Sequence, residues 1–331
     1  MEKGLFIMRL EPFDYVYPSE IREEISRFVD IIAPPMTVDT ALLHPELLKQ
    51  ADVIFSGWNG PELDESFLET AERLKVIFYA AGSVKPIVTD AVWKRNVKIT
   101  SAVRANAIPV IEFTLSQVLF CLKNGWQFVR QVKREKQFPE KPYYIAGAFQ
   151  SKVGLISLST VGRGVADQLK HFDVEVLAYD PCVEKKQAEQ LGVRLCSLEE
   201  IFQQSDVVSL HTPLLEDTRG MIRGEHFAMM KQHASFINTA RGGIIRQSEL
   251  VHVLMERTDL TAVLDVTEPE PPAADSPLYQ MENVVLTPHL AGSEGAECGR
   301  MGMYMLEELK RYVSGEQLKW QVNPDNLHFQ A

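Results

Sequence analysis

At 331 residues the chain is about twice the usual single-domain length, so two domains are expected. Apolar residues make up 45% and charged residues 24%, values that build real cores and exclude wholesale disorder. The formal net charge of −11 has the wrong sign for broad binding to nucleic acid or to an anionic membrane, leaving room only for a local basic patch. Cys121, Cys182, Cys196 and Cys298 lie far apart with no CxxC pair, which fits neither a disulfide framework nor a zinc module and points to a reducing compartment. The apolar run at residues 5–8 is broken by Arg9 and is too short for a signal peptide or a membrane span. The expectation is a soluble cytoplasmic protein with no metal site, no nucleic-acid partner and no membrane partner.

Along the chain, short apolar and β-branched runs alternate with helical patterns. LFIM (5–8), VIFSGW (53–58), KVIFYAA (75–81) and VKIT (97–100) predict strands of a parallel sheet buried on both faces. Residues 112–135 predict one long helix, with Phe113, Leu119, Leu122, Trp126 and Val129 among its apolar positions. A second, more regular series starts at Lys152. Its strands are VGLISLS (153–159), VEVLAY (174–179), DVVSL (206–210), SFINT (235–239), TAVLDV (261–266) and NVVLT (283–287). Helices fill most gaps: Val161, Val165 and Leu169 fall at helical spacing, and SLEE (197–200) is a capping box opening another helix. Repeated βαβ units predict a doubly wound sheet. Residues 294–314 predict a last helix that returns to the first domain. The first domain is therefore expected to be split, 1–103 with 292–331, and the second to be continuous, 104–291.

In open α/β sheets, ligands bind beyond the carboxyl ends of the strands. Polar residues stand regularly at those ends in the second series: Asp180, His211 with Thr212, Arg241, Asp265 with Glu270 nearby, and His289. The first strand–turn–helix is where a dinucleotide pyrophosphate would sit, in a G-x-G-x-x-G loop. Here the loop reads Ser157-Leu158-Ser159-Thr160-Val161-Gly162, so only the third glycine is present. The context still fits, because the next strand ends in Asp180, which can accept ribose hydroxyls of NAD and repel the 2′-phosphate of NADP. Ser159 adds a Cβ and a hydroxyl at the position of the second glycine. A positive φ there would weaken cofactor binding, whereas a hydroxyl donated to a phosphate oxygen would offset that loss; the second outcome is expected.

Arg241, Glu270 and His289 suit hydride exchange at a hydroxyl-bearing carbon. A histidine can carry the proton for the oxygen at neutral pH, a carboxylate beside it favours its charged form and fixes its tautomer, and an arginine can fork onto a substrate carboxylate. Taken singly, each residue also has an ordinary structural reading, as a turn arginine, a surface carboxylate or a packed histidine. At three strand ends on one crevice, the active-site reading is the stronger one. His211 is expected at the border of the same crevice, with a structural hydrogen bond as the competing reading. His44, His171, His226, His233, His252 and His328 have no matching partners and are given no role.

These segments resemble the D-isomer-specific 2-hydroxyacid dehydrogenase family along essentially the whole chain. The resemblance is carried by SLHTPLLEDTRGMI (209–222), INTARGGIIRQSEL (237–250), LDVTEPEPPAADSPL (264–278) and NVVLTPHLAG (283–292). It implies a Rossmann-type doubly wound NAD domain inserted into a flavodoxin-like α/β substrate domain, with a homodimer formed through the NAD domains. By matching position it implies that Arg241 binds substrate, that Glu270 partners the histidine and that His289 is the acid/base. It assigns Thr160 and Val161, beside Ser159 and Gly162, to the pyrophosphate. It assigns Asp180 to the ribose, and Thr212, Thr239, Ala240 and Asp265 to the rest of the cofactor. AAGSV (80–84) matches the loop whose backbone N–H groups hold the substrate carboxylate, implying Gly82, Ser83 and Val84. The implied function is NAD-dependent interconversion of a small 2-keto acid and its D-2-hydroxy acid. The alternative is an NAD-sensing regulator like the corepressors built on this fold. Ser157, Ser159 and Lys85 depart from the family pattern, and no C-terminal regulatory domain is expected.

Overall fold

Five strands near the N-terminus build the first sheet: β1 (Glu2–Ile7), β2 (Val29–Ile31), β3 (Val53–Ser56), β4 (Val76–Tyr79) and β5 (Lys98–Ser101). They belong to a computed structural model that describes residues 1–141 and 145–327; His328 lies outside the described residues. The strands are parallel and ordered β2-β1-β3-β4-β5, a flavodoxin-like 2-1-3-4-5 arrangement. The short strand Gln321–Val322 adds to β5 in the antiparallel sense. All four residues of β3 and of β4 are buried, as expected for a sheet covered on both faces. The period of two sorts them. Ile54, Ile77 and Ile99 enter one core, while Val53, Phe55, Val76 and Phe78 enter the other. The helix Gly299–Val313 closes that second core with Met301, Met305 and Leu309, one face at i, i+4, i+8, while Met303 points outward.

Seven strands build the second sheet: β6 (Ser151–Ile156), β7 (Val174–Tyr179), β8 (Arg194–Leu195), β9 (Val207–Leu210), β10 (Ser235–Asn238), β11 (Thr261–Leu264) and β12 (Val284–Leu286). All pairs are parallel, in the order β8-β7-β6-β9-β10-β11-β12. That is the Rossmann order 3-2-1-4-5-6 with one strand added, and the order reverses between β6 and β9. The capping box at 197–200 opens the helix Leu198–Gln204: Ser197 Oγ accepts from Glu200 N at 3.1 Å, and Ser197 N donates to Glu200 Oε2 at 3.0 Å. The chain folds as two units, Met1–Ala107 with Ser293–Ala331, and Ile108–Gly292.

Three expectations need correction. Residues 112–135 are not one helix but parts of two, Val103–Leu122 and Gly125–Glu135. The break is at Asn124, which turns left-handed (φ 50°), a conformation asparagine tolerates better than most residues. The apolar spacing continues across the break, so periodicity alone hides it. The first of these helices is long and apolar enough to cross a membrane by length and composition; its Val118, Cys121 and Leu122 are buried against Val153 and Leu155 of β6. Second, β2, β8 and Gln321–Val322 were not expected, since strands of two or three residues are too short to show a period. Third, the strand expected over 153–159 ends at Ile156, which moves Ser157 into the turn.

Candidate functional site

The register of the second sheet levels its strand ends. Ile156 pairs with Tyr179 and with Leu210, Leu210 with Asn238, Asn238 with Leu264, and Leu264 with Leu286. Ser157, Asp180, His211, Thr239, Asp265 and Thr287, the next residues of six strands, therefore line one edge. Parallel pairing alone gathers side chains that lie up to 130 positions apart in sequence.

Arg241 leaves β10 in a clamped turn. Ala240 N donates to Asn238 Oδ1 at 3.0 Å and Asn238 Nδ2 donates to Arg241 O at 3.1 Å. The next residue must be glycine, because a Cβ at Gly242 would stand 2.1 Å from the carbonyl oxygen of Thr267. Burial lowers the pKa of Arg241 from its ordinary value, and the negative charge of Glu270 opposes that shift. Glu270 Oε1 also lies 2.5 Å from His289 Nδ1, both side chains being about half exposed. The carboxylate thus neighbours the guanidinium and the imidazole together.

His289 itself is in the left-handed region (φ 54°), an uncommon place for a residue with a side chain. Its N–H donates to Asp265 O at 2.9 Å. The Asp265 carboxylate, 2% exposed, holds the flanking chain by accepting from Thr287 Oγ1 (2.6 Å), Leu290 N (2.9 Å) and Ala291 N (3.0 Å). Most of its acceptor capacity is spent inside the protein. A cavity of ≈ 410 Å³ adjoins the pair, lined among others by Thr267, Pro272, Tyr279 and Leu286.

The turn after β6 runs into the helix Thr160–Leu169. Its first N–H groups, those of Thr160 and Val161, lack intrahelical acceptors, which suits an anion. Gly162 is needed for packing, since a Cβ there would lie 2.1 Å from Ser157 O. Asp180, at the end of β7, accepts from Leu158 N (2.7 Å), Ser157 Oγ (3.2 Å) and Cys182 N (2.8 Å). His211 is buried, its Nε2 has no hydrogen-bond partner among the described residues, and desolvation pushes its pKa down to about 3, so the ring is neutral. Thr212 Oγ1 donates to Ile156 O at 3.4 Å, and Thr239 Oγ1 shares a 3.0 Å hydrogen bond with Thr114. A helix N-terminus, a close-packed glycine and a carboxylate at the next strand end fit a dinucleotide.

The serine expectations change here. Ser159 is extended (φ −62°), so its Cβ carries no left-handed strain; the positive φ, 78°, belongs to Ser157. Ser159 Oγ donates to His211 O at 2.9 Å and accepts from Gly162 N at 3.4 Å, so its hydrogen is directed into the fold and not toward a phosphate. The residue acts as an N-cap.

In the first unit, Gly82, Ser83 and Val84 come just after β4. Ser101 Oγ donates to Gly82 O at 3.0 Å, and Lys85 N donates to Ser83 Oγ at 3.4 Å. Val84 is fully buried in the core, backbone included, so of the three only Gly82 and Ser83 are open to a ligand. Asn106 Oδ1 accepts from Ser293 N at 3.1 Å, tying the two segments of this unit.

Residues 115–291 match the family model described as "D-isomer specific 2-hydroxyacid dehydrogenase, NAD binding domain". The chain is 33% identical over 294 residues to a D-3-phosphoglycerate dehydrogenase of Methanocaldococcus jannaschii, covering 88% of this chain and 56% of that one. It is 31% identical over 275 residues to a glyoxylate reductase of Korarchaeum cryptofilum, covering 82% of each. The chain belongs to the D-isomer-specific 2-hydroxyacid dehydrogenase family. It spans about half the length of the phosphoglycerate dehydrogenases it matches. The fold is also that of an NAD-complexed family member from Lactobacillus delbrueckii ssp. bulgaricus, with a TM-score of 0.79 at 23% identity over 97% of this chain and 100% of that one.

As a family member, the chain takes NAD in the unit that carries Arg241, Glu270 and His289. Two residues of that unit escaped sequence reasoning. Asn238 clamps the Arg241 turn, and Thr287 anchors the His289 turn to Asp265. Both lie at strand ends, and a polar residue closing an otherwise apolar strand was the available signal.

Proposed function

We propose that the protein is an NAD-dependent oxidoreductase that interconverts a small 2-keto acid and its D-2-hydroxy acid. The observation that carries this reading is the 2.5 Å contact between His289 Nδ1 and Glu270 Oε1, with Arg241 under the influence of the same carboxylate. Bound NAD supplies or accepts the hydride at the substrate carbon. Arg241 grips the substrate carboxylate with its planar guanidinium and polarises the neighbouring carbonyl. Glu270 holds the Nδ1 proton, so the proton exchanged with the substrate oxygen is the one on Nε2. In the reducing direction Nε2 gives that proton to the forming alkoxide; in the oxidising direction it removes it from the hydroxyl.

Thr160 and Val161 meet the pyrophosphate with backbone N–H groups, with Ser159 and Gly162 fixing their turn. Asp180 meets the adenosine ribose and disfavours the 2′-phosphate of NADP. His211, Thr212, Thr239, Ala240 and Asp265 shape the rest of the crevice. In the first unit, the part-exposed backbone of Gly82 and Ser83 is the stretch that the family resemblance assigns to a carboxylate; Val84 is buried beside them. A homodimer in the cytoplasm is part of the proposal. Its support is the apolar side chains left exposed within one stretch of chain, Phe120, Val129, Phe138 and Phe149, and the free cysteines. The test is a screen of 2-keto acids with NADH, monitored by loss of NADH absorbance. Turnover of at least one small 2-keto acid is expected. NADH binding without turnover of any would return the chain to the NAD-sensing alternative.

A further inference from the structure

We propose that Ser157 is a positioning residue that sets how Asp180 meets the cofactor: its hydroxyl closes one carboxylate oxygen, Oδ2, and leaves Oδ1 to accept from the ribose. The inference rests on the reading of Asp180 as the ribose contact. An ionised carboxylate offers about four lone-pair positions, two on each oxygen. Oδ2 receives the N–H of Leu158 at 2.7 Å and the hydroxyl of Ser157 at 3.2 Å, which fills it. Oδ1 receives the N–H of Cys182 at 2.8 Å, which leaves one position open. A ribose presents two neighbouring hydroxyls. With no hydroxyl at position 157, each carboxylate oxygen could accept one of them; with serine, Oδ1 alone remains.

The backbone holds the serine to this task. At φ 78° Ser157 adopts a conformation that glycine takes freely and serine does not. Its N–H donates to Tyr179 O at 2.8 Å, and its carbonyl occupies the space that a Cβ on Gly162 would need. The turn is fixed on both sides, and the hydroxyl is directed at Asp180. In the ligand-free protein that hydrogen bond steadies the loop; when NAD arrives it competes with the ribose for Oδ2.

The test compares wild type with Ser157→Ala, Ser157→Gly and Asp180→Ala. NADH affinity is read by fluorescence and calorimetry, and the unfolding temperature is read without cofactor. Both Ser157 variants should bind NADH about three- to tenfold more tightly, the change that one ordinary hydrogen bond carries, because the 3.2 Å hydroxyl bond is long and the site is partly open to water. Ser157→Ala should at the same time unfold at a lower temperature, because it keeps the left-handed backbone and loses the hydroxyl. Tighter binding by a less stable protein is a result that a merely structural serine would not give. Unchanged or weaker binding in both Ser157 variants, with Asp180→Ala still weakening it, overturns the proposal and leaves the ribose reading standing. Tightening in Ser157→Gly alone would trace the effect to backbone strain and likewise overturn the role of the hydroxyl. Should Asp180→Ala bind NADH as wild type does, the ribose reading fails, and the role of Ser157 with it.

Discussion

The turn that leaves β6 carries Ser157 at φ 78°, and the turn that leaves β12 carries His289 at φ 54°. Each is held by an aspartate at the end of another strand, and each aspartate accepts from one hydroxyl and two backbone N–H groups. Asp180 takes Ser157, Leu158 and Cys182; Asp265 takes Thr287, Leu290 and Ala291. The two differ in access. Asp265 is 2% exposed, whereas Asp180 is partly open to solvent. One device thus serves two purposes. A sealed carboxylate fixes a strained turn so that the turn's own side chain can act, and an open one keeps capacity for a ligand.

If the β12 turn exists to present His289, removing the imidazole should give the largest effect of all. His289→Gln should lower turnover by about two to four orders of magnitude, since proton transfer is lost, while NADH binding persists. Near-normal turnover in that variant would end the acid/base assignment and leave the strained turn without a function.

The difference in access makes a paired prediction next in size. Asp265→Ala strips three donors of a buried charged acceptor and should cost about 3 kcal/mol or more in unfolding free energy by urea titration. Asp180→Ala should cost about 1 kcal/mol, because water can reach its donors, and should instead weaken NADH binding. Equal stability losses in the two variants would break the distinction between a sealed and an open carboxylate.

Between the two turns, at the end of β9, sits His211, which sharpens the comparison through pH. Its folded pKa, pushed down to about 3, lies below the ordinary histidine value of about 6.5. The unfolded chain therefore binds the extra proton first. The stability tied to the neutral buried ring is fully present above pH ~6.5 and is lost progressively as pH falls toward 3. Ligand-free wild type should lose unfolding temperature between about pH 7 and pH 4.5 more steeply than His211→Leu. Parallel slopes would show that the ring is not protonated on unfolding in that window.

The strand-end residues are legible in the sequence because parallel register is implied by apolar strands alternating with helices. Asp180, Arg241, Asp265 and His289 can all be placed on one edge from the strand pattern alone. Glu270 can be placed near the same edge from Asp265, but its approach to both Arg241 and His289 is less legible, since it lies in a proline-rich loop whose path no period describes; the family resemblance is what pairs it with the histidine. The backbone of the cofactor turn is not legible at all. A glycine pattern tells where positive φ is allowed but not which of two substituted positions keeps it, and the strain is at Ser157. The break at Asn124 is hidden for a related reason, as one left-handed residue interrupts a helix without disturbing its apolar spacing.

The smallest effect separates the two serines of one turn. Ser159 has an extended backbone and a hydroxyl bonded to His211 O and Gly162 N, so its contribution is that of a helix cap. Ser159→Ala should destabilise the ligand-free protein by about 1 kcal/mol, and Ser159→Gly by only a few tenths, the usual order for capping positions. Neither should tighten NADH binding, because Ser159 does not bond Asp180. At position 157 the order of the two variants should be the same in sign but larger in contrast: glycine relieves the left-handed strain and offsets the lost hydrogen bond, whereas alanine relieves nothing. Thermal unfolding of the four single variants, with NADH titrations alongside, reads both contrasts at once. A Ser159→Ala variant that gained NADH affinity as Ser157→Ala is expected to do would merge the two serines into one role and remove the distinction between cap and latch.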